Sequence, residues 1–194
     1  GSNNINSTHI FNFLEELKKG SFNVQHLDLS NNAFNSRVKE KHMHTIGQLI
    51  ELGKKLTYVN LASSKIGVVH METIGEALKP QHGLMLKTLI LKRNDIGKYG
   101  VKHLVEALKV NQVLETLDLS GNDIGVLGSQ SVAAFMKHNK SIKTLNLFGN
   151  LIEIEGALCM ADALKSNTTL TDLDLGLNRI RARGAAAIAD LLSV

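Results

Sequence analysis

Apolar residues recur along the chain in blocks that share one spacing. The clearest block has apolar residues at positions 114, 117, 119 and 124 and an asparagine at 122. The same pattern begins at 86, at 142 and at 170, so these four blocks are evenly spaced. Two looser copies begin at Val24 and Leu56. Because self-similarity at a fixed period marks a repeat architecture, we predict six strand-bearing units, starting near 24, 56, 86, 114, 142 and 170.

Each unit changes its hydrophobic period half-way. The alternation of Leu117, Asp118 and Leu119 predicts a short strand with one buried face. The second half has apolar or small residues four apart, as at Gly128, Val132 and Met136, which predicts a helix with one buried stripe. One unit could not bury its apolar face alone, so neighbouring units must supply the core.

The full pattern is L-x-x-L-x-L-x-x-N-x-I-x-x-x-G-x-x-x-L-x-x-x-L-x-x-N. It resembles the ribonuclease-inhibitor type of leucine-rich repeat, which also forms the repeat domains of NOD-like receptors and of the Ran GTPase-activating protein. The resemblance covers nearly the whole chain. It implies an α/β fold, a right-handed solenoid or horseshoe with a parallel sheet on the concave side and helices on the convex side.

The units predict a single domain over residues 1–194. Residues 3–23 are expected to hold the helix of a partial preceding repeat, and the extra residues of the longer units fall near 35–55 and 80–85. The second unit departs from the pattern, with Ser64 in place of the asparagine and His70 in place of the helix glycine, so we expect an irregularity around 62–70. The last predicted helix, at 185–192, is apolar and no polar cap follows it. Since solenoids need polar caps, we expect either a fragment of a longer protein or self-association through this helix.

An asparagine ends five of the six predicted strands. Its amide group can satisfy backbone groups that would otherwise be buried without a partner. We therefore predict a structural ladder rather than a binding surface. The ladder consists of Asn32, Asn94, Asn122, Asn150 and Asn178.

The strand positions between and after the leucines are predicted to face solvent on the concave side. Apolar Ile90, Phe148 and Leu177 stand out there, because exposed apolar groups beside charges suit a partner anchor. Scattered surface hydrophobes are the competing interpretation. The predicted partner-binding residues are Tyr58, Asn60, Ile90, Lys92, Arg93, Asp118, Asn146, Phe148, Asp174 and Leu177.

Composition narrows the class of protein. Hydrophobic residues make up 43% of the chain and aromatic ones 4%, so the predicted core is aliphatic. The one cysteine excludes an internal disulfide and suits a reducing, cytoplasmic compartment. No apolar run reaches the length of about 20 residues that a membrane helix needs. Residues 1–110 have 15 basic and 9 acidic side chains, a bias too mild for a nucleic-acid signature.

Candidate chemistry is sparse. Cys159 falls within a predicted helix, where a small buried hydrophobe is expected, and His42 and His44 lack the further ligands that a metal site needs. Asp118 and Asp174 lie two strands apart, about 10 Å, without a pocket signal. We therefore predict no catalytic residue, metal site or cofactor, and no small-molecule substrate, membrane or nucleic acid as partner. The expected function is a protein-interaction scaffold. A regulator of a small GTPase and a ligand-sensing domain of NOD-like receptor type are the alternatives that the resemblance implies.

Overall fold

The computed structural model describes residues 5, 7–18, 23–32, 34 and 44–193. Within them, helices and short strands alternate along the chain. The helices are α1 (Ser7–Leu17), α2 (Thr45–Leu52), α3 (Val68–Ala77), α4 (Gly97–Leu108), α5 (Gly125–Met136), α6 (Glu153–Leu164) and α7 (Arg181–Ala189). The strands are β1 (His26–Asp28), β2 (Tyr58–Asn60), β3 (Thr88–Ile90), β4 (Thr116–Asp118), β5 (Thr144–Asn146) and β6 (Asp172–Asp174). Short 3-10 turns cover Pro80–His82 and Asp190–Ser193.

The strands form one parallel sheet in chain order, from β1 to β6. The register places equivalent residues of successive repeats side by side, as with Leu89, Leu117 and Leu145. These central residues are buried, and their strand neighbours are half-buried or exposed. The α/β repeat fold predicted from the sequence is therefore confirmed, and each strand begins two residues after the start of its sequence block.

The core lies between the sheet and the helices and is mainly aliphatic. Its largest fully buried side chains include Phe34 and Phe135, while most of the others are leucine, isoleucine and methionine. Burial weakens in the sixth repeat, where Leu170, Leu173 and Leu175 are half-buried although their counterparts in the third to fifth repeats are at most 1% exposed.

The glycine at the start of each helix stripe serves close packing between repeats. A methyl carbon on Gly100 would lie 2.9 Å from Cγ2 of Ile96 and 3.1 Å from Cγ of Met71 in the preceding helix. Gly128 and Gly156 are crowded in the same way by the isoleucine four residues earlier and by the preceding helix. The absent side chain therefore lets successive helices approach.

The asparagine ladder joins each repeat to the one before it. Asn122 donates from Nδ2 to the carbonyl oxygen of Leu91 in the preceding repeat at 3.0 Å and to that of Leu119 at 2.9 Å. Its Oδ1 accepts the backbone N–H of Asn94 at 3.1 Å. Asn94, Asn150 and Asn178 repeat this arrangement, and all of them are buried. Asn32 donates to its own repeat and accepts from the N–H of Ile5.

A second series of asparagines holds the helix-to-strand connections. Oδ1 of Asn111 accepts the N–H groups of Val113 and Leu114, and Asn139 and Asn167 do the same in the next two repeats. Asn167 also donates to the carbonyl oxygen of Met136 at 2.6 Å. The amides of Asn139 and Asn167, which stand in N-x-S/T sequences, are thus engaged in structure.

The second repeat departs from the others at its strand-to-helix turn. In the third, fourth and fifth repeats the first residue of the helix, such as Gly97, donates its N–H to the backbone carbonyl oxygen of the ladder asparagine in the following repeat. Gly67 in the second repeat is instead extended, with φ −113°, and donates to Nδ1 of the buried His70 at 3.2 Å. At the predicted irregularity the N–H of Gly67 thus bonds within its own repeat, while the third repeat is joined by the N–H of Asp95, which donates to the carbonyl oxygen of Ile66 at 2.9 Å. Ser64 keeps part of the ladder, because its hydroxyl bonds to the carbonyl oxygen of Leu29 at 3.0 Å.

Two sequence predictions concern segments that the structure describes only in part. The N-terminal helix covers Ser7–Leu17, which is shorter than the predicted segment 3–23. Residues 35–43 of the predicted insertion near 35–55, His42 among them, lie outside the described residues, and α2 forms most of the described remainder.

We expect Asn150→Ala to lower the free energy of unfolding by about 3 kcal/mol. The change removes the acceptor of the Asn122 N–H and the donor to Leu119 and Leu147, all in a buried site. Urea unfolding measures the loss. Asn146→Ala is the matched control and should cost about 1 kcal/mol or less, because half-buried Asn146 accepts one bond that water can replace. Equal losses would contradict a special role for the ladder.

We expect His70 to make stability depend on pH. Burial lowers the pKa of the His70 imidazole below its ordinary value of about 6.5, so the folded state resists protonation that the unfolded state accepts. Its contribution is present above about pH 6.5 and is lost as the pH falls from there towards the lowered pKa. Urea unfolding across this range should show a smaller decline for His70→Asn, which keeps an acceptor for Gly67. Exposed His103→Asn should keep the wild-type profile, and an unchanged profile for His70→Asn would contradict the assignment.

Candidate functional site

The sheet has one side against the helices and one side free of them, which we call the open face. All ten residues predicted to bind a partner lie on it or at its edge. Tyr58, Asn60, Ile90, Asp118 and Asn146 are half-buried on the strands, while Lys92, Arg93, Phe148, Asp174 and Leu177 are exposed. The register aligns them in rows across the strands, with neighbouring strands about 4.8 Å apart.

The last residue of each strand, the strand-end position, has a structural task in five of the six repeats. Oδ1 of Asp118 accepts the backbone N–H of Ser120 at 2.8 Å. Asn60, Asn146 and Asp174 make the same bond to the residue two positions later, at 2.8–3.0 Å. This Asx turn explains why Asp or Asn occupies the position. These four predicted site residues therefore have a reason to be present without any partner.

Ile90 is the exception at the strand-end position. Its side chain has no oxygen with which to accept the N–H of Lys92. The fold therefore does not demand Ile90, and with exposed Lys92 and Arg93 it makes the third repeat both apolar and basic on the open face.

Arg93 occupies what we call the turn position, three residues after the strand end. All six residues at this position have positive φ, between 52° and 66°. They are Asn31, Ser63, Arg93, Gly121, Gly149 and Leu177. Glycine and asparagine adopt this left-handed conformation readily, but a larger side chain costs about 1 kcal/mol there. Arg93 and Leu177 thus occupy a position where the backbone favours another residue.

Leu177 combines two unfavourable features. Its φ is 52° and its side chain is 74% exposed, the largest value among the exposed large hydrophobic residues of the described chain. Neither packing nor backbone geometry therefore explains the leucine, and the two preceding repeats have glycine at the turn position. Phe148 lies in the neighbouring repeat and is 39% exposed.

Two glycines support the large side chains from the following repeat. A methyl carbon on Gly176 would lie 2.7 Å from Cδ2 of Phe148, so the ring rests against the bare backbone. A methyl carbon on Gly121 would lie 3.3 Å from Cγ of Arg93. The sequence pattern did not single out either glycine, although each follows the side chain that it supports by one repeat length.

The polar groups of the open face differ along the sheet. At the N-terminal end, hydrogen bonds from the hydroxyl and the backbone N–H of Ser30 lower the pKa of the Asp28 carboxyl, and Asn60 adds a bond of 3.1 Å. His26 and Tyr58 place their ring centroids 5.8 Å apart. Near the start of the strands, hydrogen bonds from Lys143 and then Lys87 lower the pKa of the Glu115 carboxyl.

The described residues suit a binding surface better than a catalytic or metal-binding pocket. They contain no group of three or more His, Cys, Asp or Glu side chains that could hold a metal ion. Cys159 is half-buried against the core, less buried than the sequence predicted. No helix in this part of the chain combines the length and the apolar character required to span a membrane.

Comparison with known proteins agrees with the repeat geometry. The leucine-rich repeat family model matches residues 110–133, 138–161 and 166–189, three consecutive and evenly spaced repeats. These three segments are leucine-rich repeats. The assignment to the ribonuclease-inhibitor type stays a prediction. No curated protein sequence matches the chain.

Two solved structures share the leucine-rich repeat fold. Actin-binding site 2 of leiomodin-1 superposes with a TM-score of 0.65 at 19% identity, covering 80% of this chain and 89% of that one. The C-terminal domain of tropomodulin from Caenorhabditis elegans gives a TM-score of 0.56 at 14% identity, covering 95% and 91%. At such identities the likeness concerns the fold.

We expect Leu177→Gly to raise the free energy of unfolding by about 0.5–1 kcal/mol. Glycine removes the cost of a side chain at positive φ, and almost no buried surface is lost. Thermal or urea unfolding measures the change. Leu175→Ala is the control and should cost about 2 kcal/mol, since Leu175 packs against the core. A comparable loss for Leu177→Gly would mean that Leu177 supports the fold.

Proposed function

We propose that this leucine-rich repeat protein is a non-catalytic interaction module that binds a protein partner through the open face. The observation that carries the proposal is Leu177, an exposed leucine at positive φ that the fold does not require. An exposed apolar side chain at a backbone position that favours glycine suits a role in binding. The single cysteine is the ground for also proposing a cytoplasmic location.

The residues that depart from the repeat pattern fall into two groups on the open face. Ile90, Lys92 and Arg93 belong to the third repeat, and Phe148 and Leu177 to the fifth and sixth. Two to three strand spacings, about 10–14 Å, separate the groups. Interfaces commonly bind through a few apolar, aromatic and arginine side chains surrounded by weaker contacts. We propose these five as anchors and Asn60, Asp118, Asn146 and Asp174 as surrounding polar contacts, with Tyr58 at the N-terminal edge.

Actin is a second candidate partner. The favouring observation is the likeness to leiomodin-1, whose actin-binding site 2 is a repeat fold of similar extent. The alternatives of a small-GTPase regulator and a NOD-like sensor have no comparable observation in their favour. Self-association through α7, in which Gly184 is buried and most other side chains are exposed, stays a prediction.

We expect a variant with Ile90→Ala, Arg93→Ala, Phe148→Ala and Leu177→Gly to lose its partner. Anchor residues cost about 2 kcal/mol each on truncation, so even one such loss weakens binding about thirtyfold. Quantitative affinity capture from cell extract, followed by mass spectrometry, measures the proteins retained. A control with four exposed helix residues changed to alanine, Gln48, Glu155, Asp162 and Arg183, should keep them.

The same proteins can test the actin candidate directly. Purified actin, as monomer and as filament, is titrated with the wild-type chain and the two quadruple variants. If actin binds the wild-type chain but not the open-face variant, actin is supported as the partner. If actin binds in neither form, it is excluded as a candidate.

Gly176→Ala adds a finer test, since it displaces the Phe148 ring without changing Phe148. If the variant with all four open-face substitutions still captures the proteins that the wild type captures, the open face is not the binding site.

A further inference from the structure

A second exposed apolar surface lies on the opposite side of the molecule, at the first turns of the helices. It consists of Val68 and Val69 on α3, Tyr99 on α4 and Leu127 on α5, and we call it the helix-start strip. Tyr99 is 63% exposed and Leu127 is 59% exposed. The strip runs across adjacent helices. A methyl carbon on Gly100 of α4 would lie 3.4 Å from Cα of Val68 on α3, and Tyr99 and Leu127 line one groove.

The repeat pattern does not require apolar residues in this strip. Val69, Tyr99 and Leu127 stand at the same place in successive repeats, and the next two repeats have Glu155 and Arg183 there. Both charged residues are exposed, and the helices that carry them form normally. Three neighbouring repeats therefore share an apolar side chain at a position where the fold accepts charge.

A shallow groove accompanies the strip between α4 and α5. Its volume is about 430 Å³, and Tyr99 and Leu127 lie on its walls with Lys98, Lys102 and Glu106. Lys98 places Nζ 5.1 Å from the centre of the Tyr99 ring. In the described part of the chain neither Lys98 nor Lys102 forms an ion pair, whereas Glu106 is paired with Lys109 at 2.7 Å. The groove thus offers apolar walls beside two unpaired positive charges.

We propose that this groove binds an amphipathic helix of a partner protein, with two apolar side chains one turn apart and carboxylates beside them. Adjacent helices pack 8–10 Å apart, and a third helix of about 10 Å diameter can rest between them. Its apolar face would cover Tyr99 and Leu127, and its carboxylates would pair with Lys98 and Lys102. This site is separate from the open face, so the module has two docking surfaces.

The test uses a displayed library of random peptides of about 16 residues, long enough for four helical turns. Peptides selected on the wild-type chain should carry apolar residues at i and i+4 with adjacent Asp or Glu, and should become helical on binding. Their affinity should fall at least about tenfold on Tyr99→Lys and on Leu127→Lys. A fall of similar size is expected on the double variant Lys98→Glu, Lys102→Glu.

Two controls keep the outcome decisive. Glu155→Lys alters the same helix position in the fifth repeat and should bind the peptides as the wild type does. Leu177→Gly should also bind them, because it changes only the open face. Circular dichroism checks that each variant is folded, and a lysine at this position is compatible with the fold because Arg183 occupies it in the sixth repeat.

Three results would overturn the proposal. They are a selection that yields no binder, binders without acidic residues, and binders that keep their affinity on the strip variants. Sedimentation of the chain alone tests another occupant of the strip. If the wild type dimerises and Tyr99→Lys does not, a second copy covers the strip and the proposed helix is wrong.

Discussion

The hydrogen bonds of the buried ladder asparagines are the interaction on which the rest of the structure depends. A chain that turns inward after every three-residue strand buries backbone groups that no sheet partner reaches, and each unpaired group would cost about 1–3 kcal/mol. Asn94, Asn122, Asn150 and Asn178 satisfy these groups in their own repeat and in the preceding one. Leucines can therefore fill the core without interruption. The strands keep one register, so equivalent residues of successive repeats lie side by side on the open face.

That constraint separates residues that serve the fold from residues available for binding. Strand-end Asp and Asn accept a local N–H, and turn-position glycines accept positive φ, so neither needs a partner as explanation. Ile90 departs from the first rule, and Arg93 and Leu177 depart from the second. The same comparison between repeats identifies Tyr99 and Leu127 on the helices, where the later repeats have charged residues. In a repeat protein, the equivalent residues of the other repeats thus show what the fold requires at each position.

The repeat period made the strands, the helices and the ladder predictable from the sequence, because leucine and asparagine spacing reports directly on buried faces and buried polar groups. The exchange at His70 was not predictable in detail, since it depends on the extended backbone of Gly67 and on a bond between the two. The positive φ of Leu177 could not be predicted from the sequence either, because leucine is not a residue typical of such a turn. The candidate anchors were predicted by position, whereas their cost to the fold became visible only in the structure.

The ladder also has a direction along the chain. The side chain of each asparagine completes the backbone of the repeat before it, as when Asn150 accepts the N–H of Asn122, whereas the backbone N–H of Asn150 depends on Asn178 of the repeat after it. Damage at one repeat should therefore spread towards the N-terminus, where amide hydrogen exchange would accelerate, and spare the C-terminal side. During synthesis, a repeat that has just left the ribosome still holds unpaired buried groups until the whole of the next repeat emerges. Folding of such a chain would then trail its translation by one repeat.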